Sequence, residues 1–414
     1  MSAEPLHPGA AADSWDTALR VAYLSGSPRI ATRDDAEVAG PRAHILGFVQ
    51  ALRGDGHTVE EFILGDLLHR RVSGEGSLSM ITGGRLRQIA VDLVRLGLRF
   101  TVARRARRHL SGDFDLVYER FALFQHLGRR FQRSGAPWVV ETNAVISQEA
   151  RLERNSLALQ RIAGRLERRT YRQADLVVCI SEALRELLVR EAGVPGHKIA
   201  VVPNGVDIDR FDVASAATGR VAAGGELIVG YVGWLTERQG LDQLIRAIGT
   251  LRSRGIAVRG VIVGDGPDRP RLEALATSVG IADAIDFRGQ VTWSQVPEQI
   301  ATFSVGYSGQ RGVGGMPMYH SPLKIYEYLA VGRPVVASQH PDAVTTLVEP
   351  NAGWTFPAGD DDALVEVLTE VARLGPDELS DFGKRARQHV ERHHTWTQRT
   401  RQLLSELADR GLLP

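Results

Sequence analysis

Lys324 and Glu327 stand three residues apart, after Ser321-Pro322-Leu323 and ahead of Gly332-Arg333-Pro334. Ser321 is a good helix N-cap, and Pro322 suits the first helical position. Gly332 closes the helix and Pro334 blocks its continuation. Val335-Val336-Ala337 then reads as a short buried strand. Backbone N–H groups at such a helix start lack internal partners and carry the positive end of the helix dipole, so they suit a phosphate or pyrophosphate. Lys324 adds a full charge in the first turn, and Glu327 shares its face one turn on. A carboxylate there accepts hydrogen bonds from paired sugar hydroxyls. Phosphate followed by ribose is the order of groups in a nucleoside diphosphate. The same residues also fit an ordinary helix–strand unit with a surface Lys–Glu pair, and this segment alone leaves the two readings even.

At 414 residues the chain is long enough for two domains with separate cores. It is 43% hydrophobic and 24% charged, as soluble globular proteins are. Lys plus Arg is 50 against 49 for Asp plus Glu, so charge balance predicts no nucleic-acid partner. The single cysteine, Cys179, lies in the apolar run Leu176–Ile180 and reads as core. With no internal disulfide available, a reducing, cytoplasmic setting is expected. Residues 1–16 lack the basic start and apolar core of a signal peptide. No apolar run reaches the roughly 18 residues of a membrane span. His393 and His394 form no ligand set with nearby Asp or Cys, so no metal is expected.

The elements that must position these groups follow from apolar runs and turn residues. Ala18–Leu24, Thr58–Ile63, Phe114–Arg120, Trp138–Asn143 and Ala174–Ile180 read as strands of a first half. Ala43–Leu52 and Glu149–Tyr171 read as helices between them, with Gly40 at the bend before the first. Ser181 reads as the N-cap of Glu182–Glu191. Leu227–Val232 and Val258–Val263 open a second half, beyond an Ala/Gly-rich linker at 212–225. Helices follow at Asp361–Arg373, Pro376–His393 and Thr397–Gly411. Residues 85–110 carry eight arginines and one acid, Asp92, with Leu86, Ile89, Leu93, Leu96 and Phe100 at helical spacing. That pattern fits either a helix packed on its own core or a basic amphipathic helix on an anionic membrane. The core reading is favoured, because an apolar stripe in a soluble domain usually faces the core.

The run Ser321-Pro-Leu-Lys…Glu327-Tyr-Leu-Ala-x-Gly-x-Pro-Val-Val-Ala resembles the donor-site helix of retaining glycosyltransferases of family 4, which have the GT-B fold. Other stretches agree with it: Tyr118-Glu-Arg120, Ala174-Asp-Leu-Val-Val-Cys-Ile-Ser181, Val201-Val-Pro-Asn-Gly-Val-Asp207, and Gly264-Asp-Gly-Pro267. The resemblance implies an α/β chain of two doubly wound Rossmann-like domains facing a cleft. An acceptor domain would span 17–211 and a nucleotide-sugar domain 226–395, with residues 396–414 as a helix crossing back to the first. Ser321, Leu323 and Lys324 would meet the donor diphosphate and Glu327 its ribose, with Lys324 and Glu327 as the catalytic pair. Gly233 and Arg238 would add to the diphosphate site, and Arg288 to the base pocket. Gly40, Glu141 and Asn143 would lie on the acceptor side.

The chain departs from the family pattern at four places. Trp234 and Gln239 stand where an arginine and a lysine usually hold the diphosphate. Tyr319 replaces the first of two glutamates, and Asn143 a histidine near the reacting sugar. The resemblance implies transfer of a sugar from a nucleotide-sugar substrate to an acceptor hydroxyl, with retention and without a metal or other cofactor. The acceptor class stays open among polysaccharide, glycolipid and small metabolite. If the arginine-rich segment meets lipid, the protein sits peripherally on the inner membrane face. Alternatives are a sugar-nucleotide-binding protein without turnover, or an epimerase or phosphorylase on the same fold.

Overall fold

The computed structural model describes residues 17–33, 39–68, 84–152, 157–212, 225–312 and 318–413. Two parallel sheets of six strands carry the chain. The first holds β1 (Arg20–Ser25), β2 (Thr58–Ile63), β3 (Leu116–Arg120), β4 (Trp138–Thr142), β5 (Leu176–Cys179) and β6 (Ile199–Val201). Their order is β2-β1-β3-β4-β5-β6. The second holds β7 (Leu227–Val232), β8 (Val258–Val263), β9 (Ile285–Gly289), β10 (Val305–Ser308), β11 (Val335–Ser338) and β12 (Gly353–Phe356). Their order is β12-β11-β10-β7-β8-β9. Helices cover both faces of each sheet, which is why β1 is buried from Val21 to Ser25 and β11 throughout. This is the GT-B architecture. In the second sheet the winding reverses between β7 and β10, and the crevice beyond such a switch point is where doubly wound sheets take ligands.

The chain passes twice between the halves. Val206 on the way out and Thr395 on the way back pair as a short parallel bridge. The final helix, Trp396–Asp409, then lies on the first sheet. Its Leu403, Leu404 and Leu407 share one core with Val21, Tyr23, Ile45 and Phe48. Arg401 grips Asp55 through two hydrogen bonds of 2.8 and 3.0 Å.

Several expectations change. The single helix read over Glu149–Tyr171 is two, Ile146–Leu152 and Gln160–Gln173, with residues 153–156 outside the described part. The buried carboxylate of Asp92 accepts from the backbone N–H groups of Ala158 and Leu159 at 2.8 and 3.0 Å, just where the second helix begins. A borrowed acid thus serves donors that a continuous helix would have satisfied itself. The first helix starts earlier than read, at Ala39, so Gly40 lies inside its first turn and not in a bend. Residues 213–224 of the linker and 313–317 of the glycine-rich loop lie outside the described residues.

The arginine-rich segment forms one helix, Arg85–His109, but its stripe is split: Leu96 packs against Phe124, Ala150, Leu157 and Ala163, while the other edge of the stripe turns outward. Leu86, Leu93 and Phe100 are 85%, 54% and 55% exposed. Asp92, Val102, Ala103 and Ala106 take the inner face instead. Among the described residues no helix is long and apolar enough to cross a membrane.

Because Leu404 is fully buried where the final helix meets the first sheet, Leu404→Ala is expected to cost about 2–5 kcal/mol. Urea denaturation followed by tryptophan fluorescence should show that loss, while Gln398→Ala on the same helix should shift the midpoint by well under half as much.

Candidate active site

The site begins where β7 and β8 end. Gly233 follows β7 with φ +145°, and Gly264 follows β8 with φ +129°. A Cβ on Gly264 would lie 2.0 Å from the carbonyl oxygen of Gly233, so the close approach of these two exits depends on glycine. Beyond Gly233 a tight turn, Glu237–Gln239, ends at Gly240, also left-handed with φ +69°.

The helix Leu323–Ala330 lays Lys324 across this exit. Its Nζ donates to Oε1 of Gln239 at 2.8 Å and stands 4.1 Å from the centre of the Tyr231 ring. A Cβ on Gly233 would lie 3.4 Å from the same ammonium. Gln310 Nε2 shares the Gln239 oxygen at 3.2 Å. Arg238 Nη1 lies 2.7 Å from Nε2 of His320. Lys324 and Glu327 keep part of their surface open to the cleft. Desolvation nevertheless brings Lys324 down to about 7, against the pull of Glu327 and with help from the charge of Arg238. Desolvation likewise lifts Glu327 to about 7, while Lys324 and Arg210 hold it back. This is a cation, an adjacent carboxylate and a glycine-only backbone converging at a switch point, an arrangement that receives an anion.

Glu327 also opens on a pocket between the halves. Leu323, Phe211, Asp207 and Trp293 line it from one side, Ala43, Gly47 and Trp396 from the other. The guanidinium of Arg210 stacks on Trp293, and that of Arg42 lies 4.9 Å from the same ring.

On the first sheet Glu141, Arg120, His44 and Asn143 form a closed cluster. Tyr118 Oη donates to Glu141 Oε2 at 3.0 Å, and Arg120 Nη1 to Oε1 at 2.8 Å. Burial and the neighbouring guanidinium hold the His44 imidazole well below its usual range, so it is neutral. Its Nε2 then donates to Glu141 (3.2 Å) while Nδ1 accepts from Arg120 (3.0 Å). Asn143, with its amide turned to suit both neighbours, donates to Glu141 at 2.9 Å and accepts from Arg120 at 2.6 Å.

The structure brings Gly233, Arg238, Lys324 and Glu327 together. Ser321 is not the cap: the helix begins at Leu323 with Pro322 in the cap position and no side-chain cap bond. Ser321 is buried, its Oγ 2.9 Å from Tyr326 Oη and its carbonyl taken by Asn204 Nδ2. Leu323 packs toward the core under the first sheet. Arg288 is held by Asp286, Gln299 and Thr302, and joins none of the Lys324 contacts. Gly40 is exposed, with nothing within 4 Å of an added Cβ. Glu141 lies inside β4 at 1% exposure, so it is no loop acid, and both its oxygens are already engaged. Nothing in the sequence pointed to Gln239 as the seat of Lys324, to Arg210, Trp293 and His44, or to the partners of Arg120, which was marked only within the Tyr118-Glu-Arg120 motif. His44 and Arg120 are 76 residues apart, and spacing carries no signal for such a pair.

Two family models match the chain. Residues 38–210 match Glycosyltransferase Family 4, and residues 219–389 match Glycosyl transferases group 1. Among curated relatives, a putative colanic acid biosynthesis glycosyltransferase WcaL of Escherichia coli (strain K12) is 33% identical over 53% of this chain and 53% of its own length. A GDP-mannose-dependent alpha-(1-6)-phosphatidylinositol monomannoside mannosyltransferase of Mycolicibacterium smegmatis is 28% identical over 73% of this chain and 78% of its own. The chain spans about half the length of the first of these relatives. Among solved structures, sucrose-phosphate synthase from Thermosynechococcus elongatus superposes with a TM-score of 0.70 at 18% identity, covering 94% and 98% of the two chains. Anabaena HepE in complex with UDP gives 0.61 at 17% identity, covering 94% and 100%.

Lys324 and Glu327 both titrate near about 7, and each proton lost removes positive charge from the site. Affinity for a non-titrating anion such as sulfate is therefore expected to fall as pH rises through that value, approaching about tenfold per unit once one proton is coupled to binding. Calorimetry in two buffers of different ionisation heat should read proton uptake. A flat pH profile without uptake would mean that Lys324 and Glu327 both stay charged throughout.

Proposed function

Because the chain belongs to the GT-B glycosyltransferases, we propose that it moves a glycosyl group from a nucleotide-sugar donor to an acceptor hydroxyl, with retention at the anomeric carbon, in the cytoplasm. The observation that carries this reading is the seat of Lys324, between Gln239, the Tyr231 ring and Gly233, with Glu327 one turn along the same helix. A donor diphosphate accepts from Lys324 in place of Gln239, and Arg238 supplies a second cation nearby. Glu327 receives the ribose hydroxyls at the edge of the Trp293 pocket. The acceptor side is the Asn143–Arg120–Glu141 cluster. Glu141 acts there by fixing Arg120 and Asn143, since its own oxygens are taken.

In the reaction the bond from the anomeric carbon to the diphosphate oxygen breaks and a bond to the acceptor oxygen forms on the same face. The acceptor proton goes to the departing diphosphate, and neither a metal nor a side-chain base takes part. The protein's contribution is to stabilise the charge that builds on that diphosphate with groups already in place. Lys324 meets this need well, because a buried ammonium with a neutral partner gains most when an anion arrives. The acceptor is a hydroxyl of a polysaccharide, a glycolipid or a small metabolite.

A thermal-shift screen against UDP, GDP, ADP, TDP and their common sugars tests the donor site. A nucleotide at about 100 times its dissociation constant should stabilise the protein by about 2.7 kcal/mol. Glu327→Ala should abolish that shift. Lys324→Ala should lower turnover by about 10²–10³ with little change in unfolding temperature. No shift with any nucleotide overturns the donor site. Binding without release of nucleoside diphosphate would make the protein a sugar-nucleotide carrier, and a changed sugar still attached to its nucleotide would make it an epimerase.

A further inference from the structure

The helix Arg85–His109 turns an apolar stripe outward. Leu86, Leu93, Val94, Leu98 and Phe100 are five of the ten exposed large hydrophobics among the described residues, so half of that surface is gathered on one element. Leu86, Leu93 and Phe100 are seven residues apart, two helical turns each, and therefore line up; Val94 and Leu98 lie to one side of the line, nearer the inner face. Gly97 continues the line, with nothing within 4 Å of an added Cβ.

The opposite face is fixed. Asp92 is fully buried and holds the N–H groups of Ala158 and Leu159, and Val102, Ala103 and Ala106 sit in the core of the first half. The helix cannot roll its stripe inward without breaking those bonds. Around the stripe stand the exposed Arg85, Arg87, Arg104, Arg105 and Arg108. The only acid of the helix is Asp92, which is buried, so the outward face is apolar and cationic with no anionic group.

We propose that this helix docks the protein on an anionic membrane surface through the stripe Leu86, Leu93 and Phe100. The apolar side chains enter the boundary between headgroups and acyl chains, and the guanidiniums meet lipid phosphates. A second copy of the chain fits worse, because a two-fold contact of this face would set arginines against arginines. A nucleic acid would match the charge but leaves the apolar stripe unused. The inference does not depend on the reading of the donor site.

The test is co-sedimentation of the full chain with vesicles of phosphatidylcholine plus phosphatidylglycerol, against vesicles of phosphatidylcholine alone, over a salt series. The protein should bind the anionic vesicles, and binding should weaken as salt rises. The exposed-site variant Leu93→Glu/Phe100→Glu should bind roughly tenfold more weakly or worse, with unchanged circular dichroism, because apolar insertion is lost and negative charge is gained. Arg104→Glu/Arg105→Glu should lose the preference for anionic vesicles. Absence of binding to anionic vesicles overturns the proposal, as does unchanged binding by the Leu93/Phe100 variant. Light scattering that shows a dimer broken by the same variant, without vesicle binding, also overturns it and makes the stripe a self-association face.

Discussion

Ser321, Asn204 and Arg399 meet in a buried knot where the chain crosses between its halves. Asn204 donates to the Ser321 carbonyl, and Arg399 Nε donates to the carbonyl of Asn204 at 3.2 Å. Ser321 Oγ reaches Tyr326 on the helix that carries Lys324. These groups are polar and nearly inaccessible to water, so each bond lost would leave a donor or acceptor unsatisfied. The knot fixes the start of the Lys324 helix to the crossover, and through the crossover to both sheets. Ser181 Oγ adds a tie from the first half to the carbonyl of Tyr319, two residues upstream of Ser321. Tyr319 itself packs in the core of the first half.

The charge pattern of the cleft follows from the same placement. Lys324 is brought into a poorly solvated seat whose nearest partner is the neutral oxygen of Gln239. A lysine at position 239 would put two ammonium groups within reach of one another, and like charges at that distance repel strongly where water is scarce. Glutamine instead gives the ammonium an acceptor and leaves its charge available. Trp234 fits the same economy of cations. It is 40% exposed beside Gly233, and its backbone carbonyl takes the hydroxyl of Tyr231, the ring on which Lys324 rests. The first half solves the opposite problem. There a buried glutamate meets a partly buried arginine, and Tyr118, His44 and Asn143 satisfy what the ion pair alone would leave open.

What the residues determined by themselves was local or periodic. Apolar runs marked the strands β1, β7 and β8, because strands covered on both faces admit little else. Gly332 marked a helix end, and it is left-handed there, with φ +73°. Lys324 and Glu327 were legible as a pair because three residues in a helix put them on one face. The tertiary structure decided whatever depended on partners far along the chain. Gln239 lies 85 residues from Lys324, and Asp92 lies 66 from the backbone it caps, so neither pairing leaves a trace in spacing. Ser321 met every local requirement for a cap, yet a longer-range bond to the crossover outweighed it. The stripe of the Arg85–His109 helix had the period of a core face, but period fixes only which residues stand together. Which side of the helix meets the core was decided by Asp92, Val102, Ala103 and Ala106, whose packing depends on the rest of the fold.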